Sequence, residues 1–166
     1  MSARLESRFD DVVLRPMTLA ALDGVVELES SVYPFPWTRG NFVDSLAAGY
    51  VAWTLNGVAG DLVGYCIAMR GADEMHLLNI TVAPPRRGAG HARRMLDELV
   101  RACRTEGARR LWLVVRESNA EARAIYLRLG FVPVGVRKGY YPAHAGREDA
   151  LVMSLDVATG EGDALD

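Results

Sequence analysis

Apolar and polar positions alternate along this chain in two different rhythms. Val12–Arg15 is a short apolar run that reads as a first strand. From Pro16 and Thr18 the spacing changes, and Leu19, Leu22, Val25, Val26 and Leu28 recur at helical intervals. Two prolines in VYPFPW (32–37) forbid a regular helix there, and Thr38 is placed to cap a second helix carrying Phe42, Val43 and Leu46. Tyr50–Leu55 and Leu62–Met69 read as strands, with Asn56-Gly57 as turn chemistry between them. Met75–Val82 is another strand, ended by Pro84 and Pro85. A long amphipathic helix follows, with Ala92, Met95, Leu96, Leu99 and Cys103 on its apolar stripe and Gly107 as its stop. Leu111–Val115 is a strand, Ser118 or Asn119 caps a helix that ends at Gly130, and Phe131–Val136 and Ala150–Leu155 are the last two strands. The order β-α-α-β-β-β-α-β-α-β-β predicts a mixed α/β sheet. Antiparallel strands come first, and parallel pairing across right-handed crossovers follows.

Composition narrows this picture. The 166 residues suit one domain, and half of them are hydrophobic, which is enough for a core without disulfides or metal. The two cysteines, Cys66 and Cys103, lie in apolar stretches and read as buried thiols; neither sits beside a histidine in a nucleophile motif. No ligand-spaced set of Cys and His suggests zinc. A net charge of -2 does not suggest a nucleic-acid-binding surface, and no apolar run approaches a membrane span. The expectation is a cytoplasmic protein with one domain over 1–157 and a disordered acidic tail over 158–166.

The segment PRRGAG (85–90) joins a strand to a helix. Such a turn gathers backbone N–H groups at the positive end of a helix dipole, which suits an anion; Gly88 and Gly90 let the main chain approach it, and Arg86 and Arg87 add charge. The alternative is a plain turn with solvated arginines. Neither a GxGxxG fingerprint nor a Walker lysine is present, so a diphosphate held mainly by backbone fits better than NAD or ATP. Tyr126 falls on the apolar face of its helix, where spacing alone fits a core tyrosine as well as a catalytic one.

Taken together, NITVAPPRRGAGHARRML (79–96) and LWLVVRESNAEARAIYLRLGF (111–131) resemble the acyl-CoA site of the GNAT superfamily. VYPFPW and GYYPAHAGREDALVMSL (139–155) further resemble the RimI-type enzymes, which acetylate the N-terminal alanine of small-subunit ribosomal protein eighteen. The resemblance runs from about Leu14 to Leu155. It implies a GNAT fold: a mixed, mostly antiparallel sheet with central splayed parallel strands and helices on both faces. It implies acetyl-CoA as co-substrate with no metal, and a protein N-terminus as acceptor, with neither nucleic acid nor membrane as partner. Ile80, Thr81 and Val82 would offer main-chain groups to the pantetheine arm. Arg86, Arg87, Gly88, Ala89, Gly90 and His91 would cradle the diphosphate, with Asn119 as a further cofactor contact. Tyr126 would protonate the departing thiolate. Tyr33, Trp37, Tyr140 and Tyr141 would line the peptide on irregular segments. Glu148 and Asp149 would either hold the arginine that follows the substrate's first residue or pair with Arg147 or Arg137.

One departure matters. Where the family strand reads Leu-Glu-Val-Arg with the glutamate as general base, this chain reads LVVR, with Val114 in that place. Substitute bases are Glu74 and His76, on the strand expected beside Val114. The resemblance leaves two alternatives: a GNAT enzyme acting on a small molecule, a lysine or an aminoacyl-tRNA, and an acyl-CoA-binding module without catalysis.

Overall fold

The computed structural model describes residues 11–157, so the tail 158–166 lies outside the described residues. The elements are β1 (Val12–Pro16), α1 (Leu22–Val32), α2 (Arg39–Ala47), β2 (Val51–Gly57), β3 (Leu62–Arg70), β4 (Glu74–Val82), α3 (His91–Glu106), β5 (Arg110–Arg116), α4 (Ala120–Arg128), β6 (Val132–Ala143) and β7 (Gly146–Asp156). The strands form a seven-stranded sheet in the order β1-β2-β3-β4-β5-β7-β6. Contacts group the described residues into two compact units, 11–68 with Asn79–Leu96 and Met69–Leu78 with 97–157.

In the first unit, β1 pairs antiparallel with β2 and β2 with β3. Its core gathers Met17, Leu22, Val25, Phe42, Tyr65 and Ile67, all buried. Burying a side chain of this size stabilises by about 1.5–3 kcal/mol. Thr38 starts α2 through a capping box: its side chain accepts from the Asn41 amide, and the Asn41 side chain accepts from the Thr38 amide. Asn56 and Gly57 belong to β2 and not to the turn; the chain reverses over 58–61, where the Gly60 amide donates to the Gly57 carbonyl at 2.9 Å. Gly64 of β3 lies so close to β4 that a Cβ there would stand 2.5 Å from the Thr81 carbonyl oxygen. The Ala83 amide donates to the Val63 carbonyl at 2.8 Å. The distal half of β4 is thereby tied to β3.

In the second unit, β4 and β5 are parallel over Glu74↔Arg110 to Leu77↔Leu113. The ladder stops there, although β5 continues to Arg116 and pairs along its whole length with β7. Main-chain groups of β4 from Leu78 onward have no ladder partner on β5 among the described residues. The sequence order suggested that β6 would lie beside β5. Instead β7 inserts between them, antiparallel to both, because the β6–β7 hairpin folds back onto β5. That hairpin is also longer than its apolar residues indicate. GYYPA continues β6 as strand, with Tyr141↔Glu148 and Pro142↔Arg147 in register, where the aromatic and proline content suggested a loop. Proline is tolerated because β6 is the edge of the sheet. Two extra residues bulge between Arg137 and Tyr141, and Gly139 there takes φ +61°.

Candidate active site

Beyond β4 the chain passes through a short 3-10 turn (Pro84–Arg86) and enters α3 at His91. Gly88 and Gly90 both lie in the left-handed region, at φ +83° and +82°, a conformation that costs any residue with a Cβ about 1–2 kcal/mol. A Cβ at Gly88 would meet nothing within 4 Å, so backbone conformation alone accounts for that glycine, and the loop stays open to close approach. Among the described residues, no hydrogen bond outside the regular elements uses the amides of Gly88, Ala89 or Gly90. These donors stand at the N-terminus of a sixteen-residue helix, an arrangement chemically suited to a phosphate. The arginine side chains are partly engaged: Arg86 pairs with Asp61 at 2.8 Å, and Arg87 donates through Nε to the Val82 carbonyl at 3.1 Å. His91 is buried, and desolvation together with Arg86 and Arg94 holds its imidazole below the ordinary histidine value.

On the same unit, β4 carries a polar network that was not anticipated. Asn79 and Thr81 continue the face of β4 on which Met75 and Leu77 are buried. Glu29 of α1, only 2% exposed, accepts from the Tyr65 hydroxyl at 2.6 Å, from Asn79 Nδ2 at 2.9 Å and from the Trp37 amide at 2.9 Å. Burial and the bond to Glu29 hold the Tyr65 phenol far above its usual value. Thr81 Oγ1 donates to Asn79 Oδ1 at 3.0 Å and lies 2.7 Å from the Tyr33 hydroxyl, which is 3.4 Å from the Ile80 carbonyl. The signal was present in the sequence: Glu29 lies four residues beyond Val25 and seven beyond Leu22, on the buried stripe of α1. A charge on that stripe requires partners. Of the predicted peptide-lining residues, Tyr33 belongs to this network. The Trp37 side chain packs on Phe42, with ring centroids 5.2 Å apart.

In the second unit, Tyr126 sits on α4, buried against Phe131 at 5.7 Å between centroids. Asn119 caps that helix, its side-chain oxygen accepting from the Ala122 amide at 3.1 Å, a bond that leaves its side-chain nitrogen to other acceptors. Glu74 and His76 are hydrogen-bonded at 3.1 Å, and His76 stacks on Trp112, its register partner. Val114 lies two residues past Trp112 on the same strand face, about 7 Å further along. His76 is thus one pair of residues short of that position along the ladder, and Glu74, opposite Arg110, is a further two residues back. Tyr140 and Tyr141 meet edge-to-face at 4.8 Å, and the Arg116 guanidinium stacks 4.5 Å from the Tyr141 ring. Burial raises the Tyr141 phenol to about 12. Glu148 pairs with neither Arg147 nor Arg137. It accepts from Arg116 at 3.0 Å and from the Ser118 amide at 2.9 Å, and these bonds lower its pKa. Asp149 accepts from the Gly139 amide at 2.8 Å and so secures the bulge. Both carboxylates therefore have local partners, of which the sequence pointed to neither. Cys66 and Cys103 are buried, and desolvation pushes their thiols up to about 12 and about 11, which disfavours a thiolate nucleophile.

The GNAT acetyltransferase family model matches residues 22–131. The chain belongs to the GNAT family. The ribosomal protein bS18-alanine N-acetyltransferase of Escherichia coli K12 is 34% identical over 82% of this chain and 92% of that protein. The protein of the same name from Haemophilus influenzae is 35% identical over 77% of this chain and 87% of its own length. The crystal structure of the Escherichia coli ribosomal-protein-S18-alanine N-acetyltransferase superposes with a TM-score of 0.81 at 32% identity, covering 88% of this chain and 94% of that one. No helix among the described residues is long and apolar enough to cross a membrane.

Proposed function

We propose that the protein transfers the acetyl group of acetyl-CoA to the N-terminal α-amine of a protein, the alanine of ribosomal protein bS18, in the cytoplasm. The observation that carries this reading is the paired left-handed glycines between the end of β4 and the start of α3, in a chain similar over four-fifths of its length to an enzyme named for that reaction.

In this reading the amides of the 86–91 loop bind the diphosphate, assisted by Arg86, Arg87 and the Asn119 side chain. Main-chain groups of Ile80–Val82, on the part of β4 past the ladder, hold the pantetheine arm and polarise the thioester carbonyl. Tyr33, Trp37, Tyr140 and Tyr141 orient the acceptor. The amine attacks the thioester carbonyl directly, the C–S bond breaks, and Tyr126 delivers its proton to the thiolate. A phenol of ordinary pKa near 10 is a suitable donor for that step.

Val114 cannot take the proton that the amine loses. For an α-amine of pKa about 7.7–8.0, neutralisation at pH 7 costs only about 1–1.4 kcal/mol, whereas a lysine near 10.4 costs about 4.6 kcal/mol. The missing carboxylate therefore penalises a lysine acceptor far more, which favours an α-amine. The hydrogen-bonded His76–Glu74 pair is the route by which that proton leaves through water. The experiment is thiol release from acetyl-CoA with a peptide carrying a free N-terminal alanine, against the same peptide N-acetylated and carrying an internal lysine. Release with the first alone supports the reading. Release with neither, despite CoA binding, favours a binding module, a role that Val114 would also suit.

A further inference from the structure

The structure assigns to Glu29, Asn79 and Thr81 a positioning role: they fix the direction of a hydrogen-bond chain so that the Tyr33 oxygen accepts from the incoming α-amine. This rests on the α-amine reading above and goes beyond it by saying which atom receives the amine and why.

The direction follows from donor and acceptor chemistry. A carboxylate only accepts, and all three groups around Glu29 can donate: the Tyr65 hydroxyl, the Trp37 amide and the Asn79 amide nitrogen. Asn79 must therefore turn its nitrogen toward Glu29, which leaves its Oδ1 facing Thr81. Oδ1 accepts, so Thr81 spends its single hydroxyl proton on it, at 3.0 Å. Thr81 Oγ1 then has only lone pairs for Tyr33, and the 2.7 Å contact has to carry the Tyr33 proton. The other neighbour of the Tyr33 hydroxyl, the Ile80 carbonyl, is also an acceptor, at 3.4 Å. Burial raises the Tyr33 phenol above its ordinary value, so the proton is present at neutral pH. Both hydrogen-bond partners of the Tyr33 hydroxyl, Thr81 Oγ1 and the Ile80 carbonyl, thus draw on its donor side, and its lone pairs remain for a donor from outside. An α-ammonium brings three N–H groups and no lone pair, and the neutral amine brings two N–H groups beside the lone pair that attacks the thioester, so either form can donate to the Tyr33 oxygen.

This chain starts at the only buried acid among the described residues and ends at the main chain of Ile80. If it served stability alone, its members would contribute independently of Tyr33. If it sets the polarity of Tyr33, they contribute to acceptor binding only through that hydroxyl.

The test is steady-state acetyl transfer to a peptide with a free N-terminal alanine, by wild type, Tyr33→Phe, Thr81→Val, Thr81→Ser and the Tyr33→Phe/Thr81→Val double variant. Tyr33→Phe and Thr81→Val should each raise the peptide KM about tenfold, as expected for one hydrogen bond to a charged group. The KM for acetyl-CoA should stay within about twofold. Thr81→Ser should restore the wild-type value, and the double variant should lose no more than either single one. Losses that multiply to about a hundredfold overturn the inference while leaving the α-amine reading intact. Wild type that transfers to no α-amine peptide overturns both. Because Thr81 is buried, its valine variant could fold poorly. Wild-type protein labelled with ¹³C-tyrosine gives a second readout by NMR: the slowly exchanging Tyr33 hydroxyl proton should show a cross-peak to the Thr81 methyl group. A Thr81 hydroxyl proton directed at the Tyr33 oxygen would overturn the assignment whatever the variants do.

Discussion

Restoring a carboxylate at position 114 separates the proposed acceptor from its competitors. Val114 is half-buried on β5, paired with Val152 of β7, one step past the last rung of the parallel β4–β5 ladder. Its side chain shares a strand face with Trp112, and Trp112 faces His76 in register. Val114→Glu therefore places a carboxylate about 7 Å along the strand from the Trp112 position. The most a base can return is the free energy of neutralising the acceptor. At pH 7 that ceiling is about 5- to 10-fold for an α-amine and about 2,500-fold for a lysine, from the difference between pH and amine pKa. Part of each ceiling is lost to holding a carboxylate in a half-buried place. The assay is kcat/KM from pH 6 to 9 for two peptides, one with a free N-terminal alanine and one N-acetylated with an internal lysine. Val114→Glu should raise the lysine rate by at least tenfold more than the α-amine rate. It should also flatten the rise of the α-amine rate between pH 7 and 8. Equal gains for the two peptides, or a wild-type α-amine profile with no dependence on pH across that range, would refute the reasoning from amine basicity.

The remaining predictions concern the other groups of the site. Tyr126→Phe should lower kcat by about 100-fold or more, the range of a positioned acid, with CoA affinity by calorimetry nearly unchanged; an unchanged kcat would remove its assigned role. The His91 imidazole is held below its ordinary value by desolvation, Arg86 and Arg94, so it is neutral in the fold. That contribution to stability is fully present above the unfolded histidine pKa and is lost as pH falls from there through the lower folded value. A diphosphate bound at the same helix N-terminus should move the His91 pKa upward, measured by NMR titration with and without CoA; no movement would argue against phosphate binding there. Gly88→Ala, at φ +83° with open space around it, should cost about 1–2 kcal/mol of unfolding free energy in denaturant melts. Gly64→Ala, where the backbone is not left-handed, should cost more than Gly88→Ala because its Cβ would stand 2.5 Å from the Thr81 carbonyl oxygen.

How much of this was legible in the sequence depended on whether a signal was local. The helices were, because their caps and stripes are local: Thr38 with Asn41, Asn119 before α4, and Met95, Leu96, Leu99 and Cys103 on α3. The two glycines of the loop were legible for the same reason, since a left-handed φ belongs to a single residue. Of the strand neighbours, the antiparallel β2–β3 pair and the parallel β4–β5 crossover were legible, but the far edge was not, because pairing there is decided by distant segments: nothing local to β5 or β6 tells that β7 inserts between them. GYYPA looked like a loop because proline and glycine usually break strands, yet an edge strand with a bulge accommodates both. The partners of Glu148 and Asp149 were missed since Arg116 and Gly139 reach them only once the hairpin and β5 are paired. Glu29 could have been found, as an acid on an apolar helical stripe, although its partners Tyr65 and Asn79 are 36 and 50 residues away.

The most direct measurement of the central claim is thiol release from acetyl-CoA with mass analysis of the acceptor, using bS18 peptide with its N-terminal alanine free. One acetyl group is expected, on the α-nitrogen, and none on lysine side chains or when that nitrogen is already blocked. Acetyl groups on lysine, or CoA binding with no transfer to the free alanine, would contradict it.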